Sequence, residues 1–203
     1  MSSKVLSLGV ADSSAEQRVR LEGVSWQQYE SLISTLGDSF PALRMSYLNG
    51  TLEIMTNSPL HEKLKKVIGM LIEAFLLETR TRFAAIGSAT FREAAKQRGL
   101  EPDECYCIGE EKAFPDLAVE VVLSSGVVDK LEIYRGLGVT EVWVWEAGEF
   151  AIYHLRQSGY ERLQTSELLP SCDIPLLASF INPDQQFEAV MTYRDTLKQR
   201  LSL

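Results

Sequence analysis

The chain has 203 residues, 45% of them hydrophobic, with a formal net charge of −8 and a sequence pI of about 4.9. That size suffices for one core and one domain. No apolar run reaches the roughly 18 residues of a membrane span, and the start lacks the basic-then-apolar form of a secretion signal, so a cytoplasmic protein is expected. The acidity excludes a general attraction to a phosphate backbone, so any nucleic-acid contact has to be local.

In chain order, 1–22 reads as a loosely structured N-terminal segment with a short strand near 18–21, and 23–203 as a single domain. Ser25 and Gln28 have capping-box spacing and open a helix to Leu36, with Trp26, Tyr29, Leu32 and Ile33 on its apolar side. Asn49-Gly50, between strands 44–48 and 51–55, is the strongest hairpin signal. Ser58-Pro59 supplies a cap and a first helical residue for a long helix to Thr79. From 67 to 77 that helix is apolar nearly all round, so it is expected to be central or covered by another subunit. His61 and Glu62 occupy its first turn, where the macrodipole favours an anion. Glu62 can simply complement that dipole, and His61 can be a structural hydrogen-bonding residue.

A strand at 83–86 and the turn Gly87-Ser88 lead to a polar segment, 92–99. Strands at 103–108 and 116–123 follow, then the loop Ser124-Ser125-Gly126 and a helix over 127–137 with Lys130 and Tyr134 on one face. Gly136 and Gly138 end the helix. The strand 141–146 carries Trp143 and Trp145 on one face, expected to be core, and 150–155 with 160–164 extend a meander. Asp173 caps a short helix over 174–180. Asn182-Pro183 starts the last helix, with Phe187, Val190, Met191, Arg194, Leu197 and Leu201 along one side, a stripe that could face its own domain or a second copy. Cys105, Cys107 and Cys172 read as reduced core residues because no further Cys or His lies at metal-site spacing. The basic groups Lys63-Lys65-Lys66, Arg80-Arg82 and Arg92-Lys96-Arg98 read as solvated faces.

The chemistry concentrates between Glu101 and Trp145. Asp103 opens one strand, Glu120 sits inside the next and Lys130 follows on a helix, the residue types that metal-dependent phosphodiester cleavage needs. An antiparallel hairpin centred between Glu111 and Lys112 sets Asp103 opposite Glu120, with Cβ atoms roughly 4.5–5.5 Å apart, within reach of one cation. A slip of one residue would send the two to opposite faces. Asp116 lies about 13 Å along the strand from Glu120 and reads as a strand-entry residue. Asp103 can also be a plain turn aspartate after proline, and Lys130 a solvated lysine. Glu120 lies inside an apolar run, where a carboxylate has to be paired, hydrated or metal-bound.

The segments Glu-Pro-Asp-Glu-Cys-Tyr, Pro-Asp-Leu-Ala-Val-Glu-Val-Val-Leu-Ser-Ser, Asp-Lys-Leu-Glu-Ile-Tyr and Gly-Val-Thr-Glu-Val-Trp-Val-Trp resemble the Uma-type putative restriction endonuclease family of the PD-(D/E)xK nuclease-like superfamily. The resemblance covers roughly 25–180. It implies an α/β (α+β) fold with a restriction-endonuclease-like core, a mixed β-sheet flanked by helices. It further implies an endonuclease using Mg²⁺, or Mn²⁺, on nucleic acid, DNA first, and acting as a homodimer. By position, Asp103 and Glu120 become the metal acids, Glu62 the early-helix acid reaching the metal through water, and Lys130 the catalytic lysine. The usual lysine position, two residues after the second acid, holds Val122. Together with the acidic charge this keeps open a rival, a catalytically inactive nuclease-fold protein acting as a binding or scaffold module.

Overall fold

The computed structural model describes residues 16–37, 39–40, 42–124 and 128–201. Its elements are β1 (Gln17–Leu21), α1 (Trp26–Leu36), β2 (Leu43–Leu48), β3 (Thr51–Thr56), α2 (Pro59–Glu78), β4 (Phe83–Ala85), β5 (Phe91–Glu93), a 3-10 turn (Ala94–Lys96), β6 (Arg98–Leu100), β7 (Glu104–Ile108), β8 (Leu117–Val122), α3 (Lys130–Leu137), β9 (Glu141–Glu146), β10 (Glu149–Arg156), β11 (Gly159–Leu163), α4 (Ile174–Ser179) and α5 (Gln186–Leu201). The strand expected near 18–21 is β1, and residues 1–15 lie outside the described ones.

Local chemistry sets several boundaries. Ser25 Oγ accepts from Gln28 N at 3.3 Å and Gln28 Oε1 from Ser25 N at 2.7 Å, which completes the capping box of α1. Ser25→Ala should therefore cost about 1 kcal/mol, read as a lower urea midpoint at unchanged slope. Asn49 and Gly50 sit at φ 48° and 92°, the left-handed pair that a type I′ hairpin turn demands between β2 and β3. Ser58 Oγ accepts from His61 N at 3.2 Å, and Pro59 takes the first helical position of α2.

Among the described residues the strands form two sheets. The six-stranded one runs β11-β10-β9-β8-β7-β4, with β8 and β9 parallel and the other neighbours antiparallel. Because a parallel pair needs a crossover, α3 bridges β8 to β9. Alternation along β8 then divides the chemistry. Leu117, Val119 and Val121 pack with Val67, Ile68 and Leu71 of α2, with Trp143, and with Leu177 and Tyr193 of α4 and α5. Ala118 faces the other way, into a cluster with Cys105, Ile133, Tyr134, Leu137 and Val142. Glu120 has the parity of Ala118 and so faces α3. The mixed sheet is thus flanked by α2, α4 and α5 on one side and α3 on the other.

The second sheet, β1-β3-β2-β6-β5, is antiparallel throughout and packs Tyr47 and Leu52 against Trp26 and Tyr29 of α1. The polar segment 92–99 contains a hairpin unmarked by hydrophobic alternation. Gln97 turns it at φ 52°, and β6 is held by pairing Gly99 with Tyr47 of β2. A Cβ on Gly99 would stand 2.4 Å from the Tyr29 hydroxyl, so glycine lets the aromatic cluster close over β6.

Two helix expectations change. Asp129 caps α3, which starts at Lys130 rather than 127, and residues 125–127 lie outside the described ones. Asn182 Oδ1 accepts from Asp184 N and Gln185 N, so a turn precedes α5 and delays its start to Gln186. The buried face of α5 is Ala189, Tyr193 and Leu197, whereas Phe187, Met191 and Leu201 of the expected stripe are 72%, 40% and 55% exposed. Tyr193 against Phe180 and Arg194 Nε on Glu78 Oε1 at 2.7 Å fix that rotation.

Trp143 and Trp145 are buried in the core, and all three cysteines are free and buried. Burial pushes the thiols of Cys105 and Cys172 up to about 12, so neither forms a nucleophilic thiolate near neutrality. No helix among the described residues is long and apolar enough to cross a membrane.

Candidate active site

The hairpin register pairs Glu104 with Val119, Cys105 with Ala118 and Tyr106 with Leu117. Carried one step further, it sets Asp103 opposite Glu120. Asp103 lies just past the ladder, and its Oδ2 accepts from Val121 N at 2.8 Å, which fastens it to β8. Glu120 Oε2 accepts from Lys130 Nζ at 2.5 Å, and its Oε1 takes the Tyr134 hydroxyl. Lys130 is the first residue of α3 and Tyr134 lies one turn on, so a single helix face delivers both donors. The acids are 3% and 2% exposed, and the Lys130 side chain keeps 24% of its surface open.

His61 completes the buried chain. Its Nε2 stands 2.8 Å from Asp103 Oδ1, and its Nδ1 stands 2.7 Å from Glu16 Oε1. Arg18 spans the loop after β8, donating to Ser124 O at 2.9 Å and to Ser124 Oγ at 3.2 Å, and it pairs with Glu53 and Glu16 at 3.0 and 3.2 Å. With Glu120, Lys130, Tyr134, Val122 and Ser124, Arg18 lines a cleft of about 150 Å³.

Electrostatics separate the two acids. Burial opposes ionisation of Asp103, yet the hydrogen bond and charge of His61, the Lys130 ammonium and the Val121 N–H together hold its carboxyl below the usual range. Glu120 is pushed up by burial, against Lys130 but with the Asp103 charge adding to the rise. For Lys130, burial is outweighed by Glu120 and Asp103, which raise it and keep the ammonium charged. Tyr134 is raised well above its ordinary range by burial and by Glu120, so its hydroxyl remains a donor. The two carboxyls are thus shifted in opposite directions within one shared set of charges.

A family model described as "Putative restriction endonuclease" (Uma2) matches residues 26–181, well over half of the chain. The chain belongs to the Uma2 family. No curated protein matches it. For this Uma2 protein, the mixed sheet with helices on both faces is the restriction-endonuclease-like arrangement expected from the sequence.

At the candidate site of this Uma2 protein the structure brings Asp103, Glu120 and Lys130 together, and it engages Glu62 elsewhere. The Glu62 carboxylate accepts from Asn57 Nδ2 at 2.6 Å, pairs with Lys65 at 2.8 Å and approaches Arg44 at 4.0 Å. From that helical turn it is His61 that reaches Asp103, because residues one apart on a helix do not share a face. Asp116 is structural, accepting from Ile108 N at 2.8 Å and pairing with Lys112 at 2.6 Å. Val122 lines the cleft where a lysine two residues after Glu120 would have stood, and α3 brings Lys130 to the acid instead. Sequence reading missed Glu16, Arg18 and Glu53, since none lies near the acids in the chain, and it took Ser124 only as a loop residue although its hydroxyl and carbonyl meet Glu16 and Arg18.

The donor set suits a hard divalent ion in type. Each oxygen of Asp103 and Glu120 already accepts one hydrogen bond, and a carboxylate oxygen has a second lone pair to offer. Among the described residues no cluster of three or more His, Cys, Asp or Glu is arranged to enclose an ion. The protein would therefore supply two carboxylates, with water and substrate oxygens making up the rest, a division that fits Mg²⁺.

Proposed function

We propose that this Uma2 protein is a divalent-ion-dependent nuclease hydrolysing phosphodiester bonds in nucleic acid, with Asp103 and Glu120 holding Mg²⁺ or Mn²⁺. The observation that carries this reading is the buried pair of opposed carboxylates with Lys130 Nζ 2.5 Å from Glu120 at a cleft. When bound, such an ion neutralises phosphate charge and makes water more acidic. The protein's own groups do the remaining work. His61 and the Val121 N–H fix the two oxygens of Asp103, and Tyr134 fixes Glu120. Lys130, partly open to the cleft, donates to a non-bridging phosphate oxygen as negative charge builds there. Val122, Val128 and Val144 line the same cleft and limit the water around that charge.

The test is cleavage of plasmid DNA, single-stranded DNA and RNA with Mg²⁺, with Mn²⁺ and in EDTA. Cutting of at least one substrate that needs the ion is expected. No cutting of any substrate by folded protein, or equal cutting in EDTA, rejects the reading. Lys130→Met should leave ion binding in place and slow cleavage about 100-fold. Calorimetry and single-turnover rates check the two halves separately, with the melting temperature read alongside because Glu120 loses its counter-charge.

A second reading, a nuclease-fold scaffold that binds without cutting, has one observation in its favour. All four carboxylate oxygens already hold a donor from the protein, so the site is satisfied without an ion. It predicts no calorimetric response to Mn²⁺.

A further inference from the structure

β1 is a poor contributor to any core. It is an edge strand paired on one side to β3, and its apolar side chains Val19 and Leu21 are 53% and 40% exposed. What this segment buries is charge. The side chain of Glu16 is 3% exposed and that of Arg18 16%. A carboxylate withdrawn from water this far is costly unless every partner is in place. Glu16 has three: His61 Nδ1 at 2.7 Å, Arg18 NH2 at 3.2 Å and the Ser124 hydroxyl. These partners lie on α2, on β1 itself and on the loop between Glu120 and Lys130. Two of those three lead directly to the candidate active site.

The geometry of the chain is explicit. An ionised carboxylate only accepts hydrogen bonds, and His61 has one carboxylate at each ring nitrogen. With Glu16 holding Nδ1, the ring plane and the direction of Nε2 are set, and Nε2 then fixes Asp103 Oδ1. We propose that Glu16 is a positioning residue of the active site, acting through His61 to hold Asp103 in the orientation that receives a divalent ion. Glu16 lies before residue 26, where the family match begins, so β1 brings to the site a group that lies outside the matched segment. Arg18 has the supporting role: it pairs with Glu16 and clasps Ser124, the residue from which the chain runs on towards Lys130.

This inference rests on the ion-binding reading above, and its test separates the two. Mn²⁺ affinity is measured by calorimetry for the wild type, Glu16→Ala and Glu16→Gln, at a temperature well below each melting transition. Single-turnover cleavage and the melting temperature in EDTA are read in parallel. Positioning predicts that Glu16→Ala binds Mn²⁺ about 10-fold more weakly or worse and cleaves about 10–100-fold more slowly, with KM for the oligonucleotide unchanged. Glu16→Gln still offers an oxygen to Nδ1–H and should recover most of both losses. A segment that only braces the fold would lower the melting temperature of Glu16→Ala and leave its Mn²⁺ affinity at the wild-type value. That result overturns the inference and leaves the nuclease reading standing. A wild type that takes up no Mn²⁺ overturns the ion-binding reading itself, and the role of Glu16 with it.

Discussion

Asp103→Ala and Glu120→Ala should each abolish calorimetric Mn²⁺ binding and reduce phosphodiester cleavage on the order of 10⁴-fold, the scale seen when one member of a unit that acts together is removed. The two acids face each other across the end of one hairpin, and each is buried, so neither can be replaced by a neighbour swinging in. Glu62, the third acid expected from the sequence, is tied to Asn57 and Lys65. For the same reason the double variant should be no slower than either single one, since effects within one catalytic unit are not additive. The variants will differ in stability. Asp103→Ala leaves the Val121 N–H and His61 Nε2 unpaired in a buried place, whereas Glu120→Ala leaves one buried donor, the Tyr134 hydroxyl, and Lys130, which can turn to water through its exposed fraction. Asp103→Ala should therefore have the lower melting temperature. Retained cleavage by a folded Asp103→Ala would remove Asp103 from the site.

The second large effect concerns stability. Glu141 opens β9, is fully buried, and accepts five hydrogen bonds. Trp143 Nε1 and Ser166 Oγ bind Oε2 at 3.0 and 2.6 Å, and His154 Nδ1, Glu167 N and Leu168 N bind Oε1 at 3.0, 2.7 and 2.8 Å. One carboxylate thus joins β9, β10 and the turn after β11. Glu141→Ala strands several of these donors at once, and we expect a loss of about 3–5 kcal/mol, the range for breaking a buried charged network. A loss of about 3 kcal/mol corresponds to a fall of roughly 6–12 °C in melting temperature for a chain of this size. The pH dependence has a definite sign. Burial opposes ionisation of Glu141, but its hydrogen bonds from Ser166, His154, Trp143 and Leu168 N hold it below the usual glutamate range. Its contribution is therefore complete above the unfolded-state pKa and is lost as pH falls through the folded one. Wild type should lose stability across that acid window, and Glu141→Gln should show a flatter acid limb from a lower plateau. A Glu141→Gln protein as stable as wild type at neutral pH would show that the network contributes little.

Glu141 also bears on the site. β9 pairs in parallel with β8, and Glu120 stands opposite Val144 in that register. Loosening the start of β9 should blur the placement of Glu120, so a moderate loss of cleavage accompanies the loss of stability.

The features legible in the sequence share a physical basis, which is that their determinants lie within a few residues of one another. The Asn49-Gly50 turn, the Ser25–Gln28 box and the Ser58-Pro59 helix start each close a hydrogen bond or a dihedral constraint inside one short window. The Asp103–Glu120 register was readable because a single hairpin joins the two strands. Where the determinant was distant, the reading failed or was silent. The β5–β6 hairpin has no alternating pattern and depends on β2 for a partner. The stripe on α5 was misplaced because Ala189 and Tyr193 carry little hydrophobic signal, while Phe187 and Met191 carry more and stay exposed. Glu62 was favoured over His61 by position, although neighbours on a helix point about 100° apart and only one can face the site.

The sequence alone determined the Asn49-Gly50 turn, the caps at Ser25 and Ser58 and most of the hydrophobic strands, and it offered the opposition of Asp103 to Glu120 as one hairpin register that strand pairing then set. Tertiary structure alone decided which charges meet. Glu16 reaches His61 across 45 residues, His61 reaches Asp103 across 42, and Arg18 reaches Ser124 across 106. No periodicity records such contacts. They exist because strand pairing and core packing bring distant segments together, and buried charges then have to find partners among whatever side chains that packing supplies.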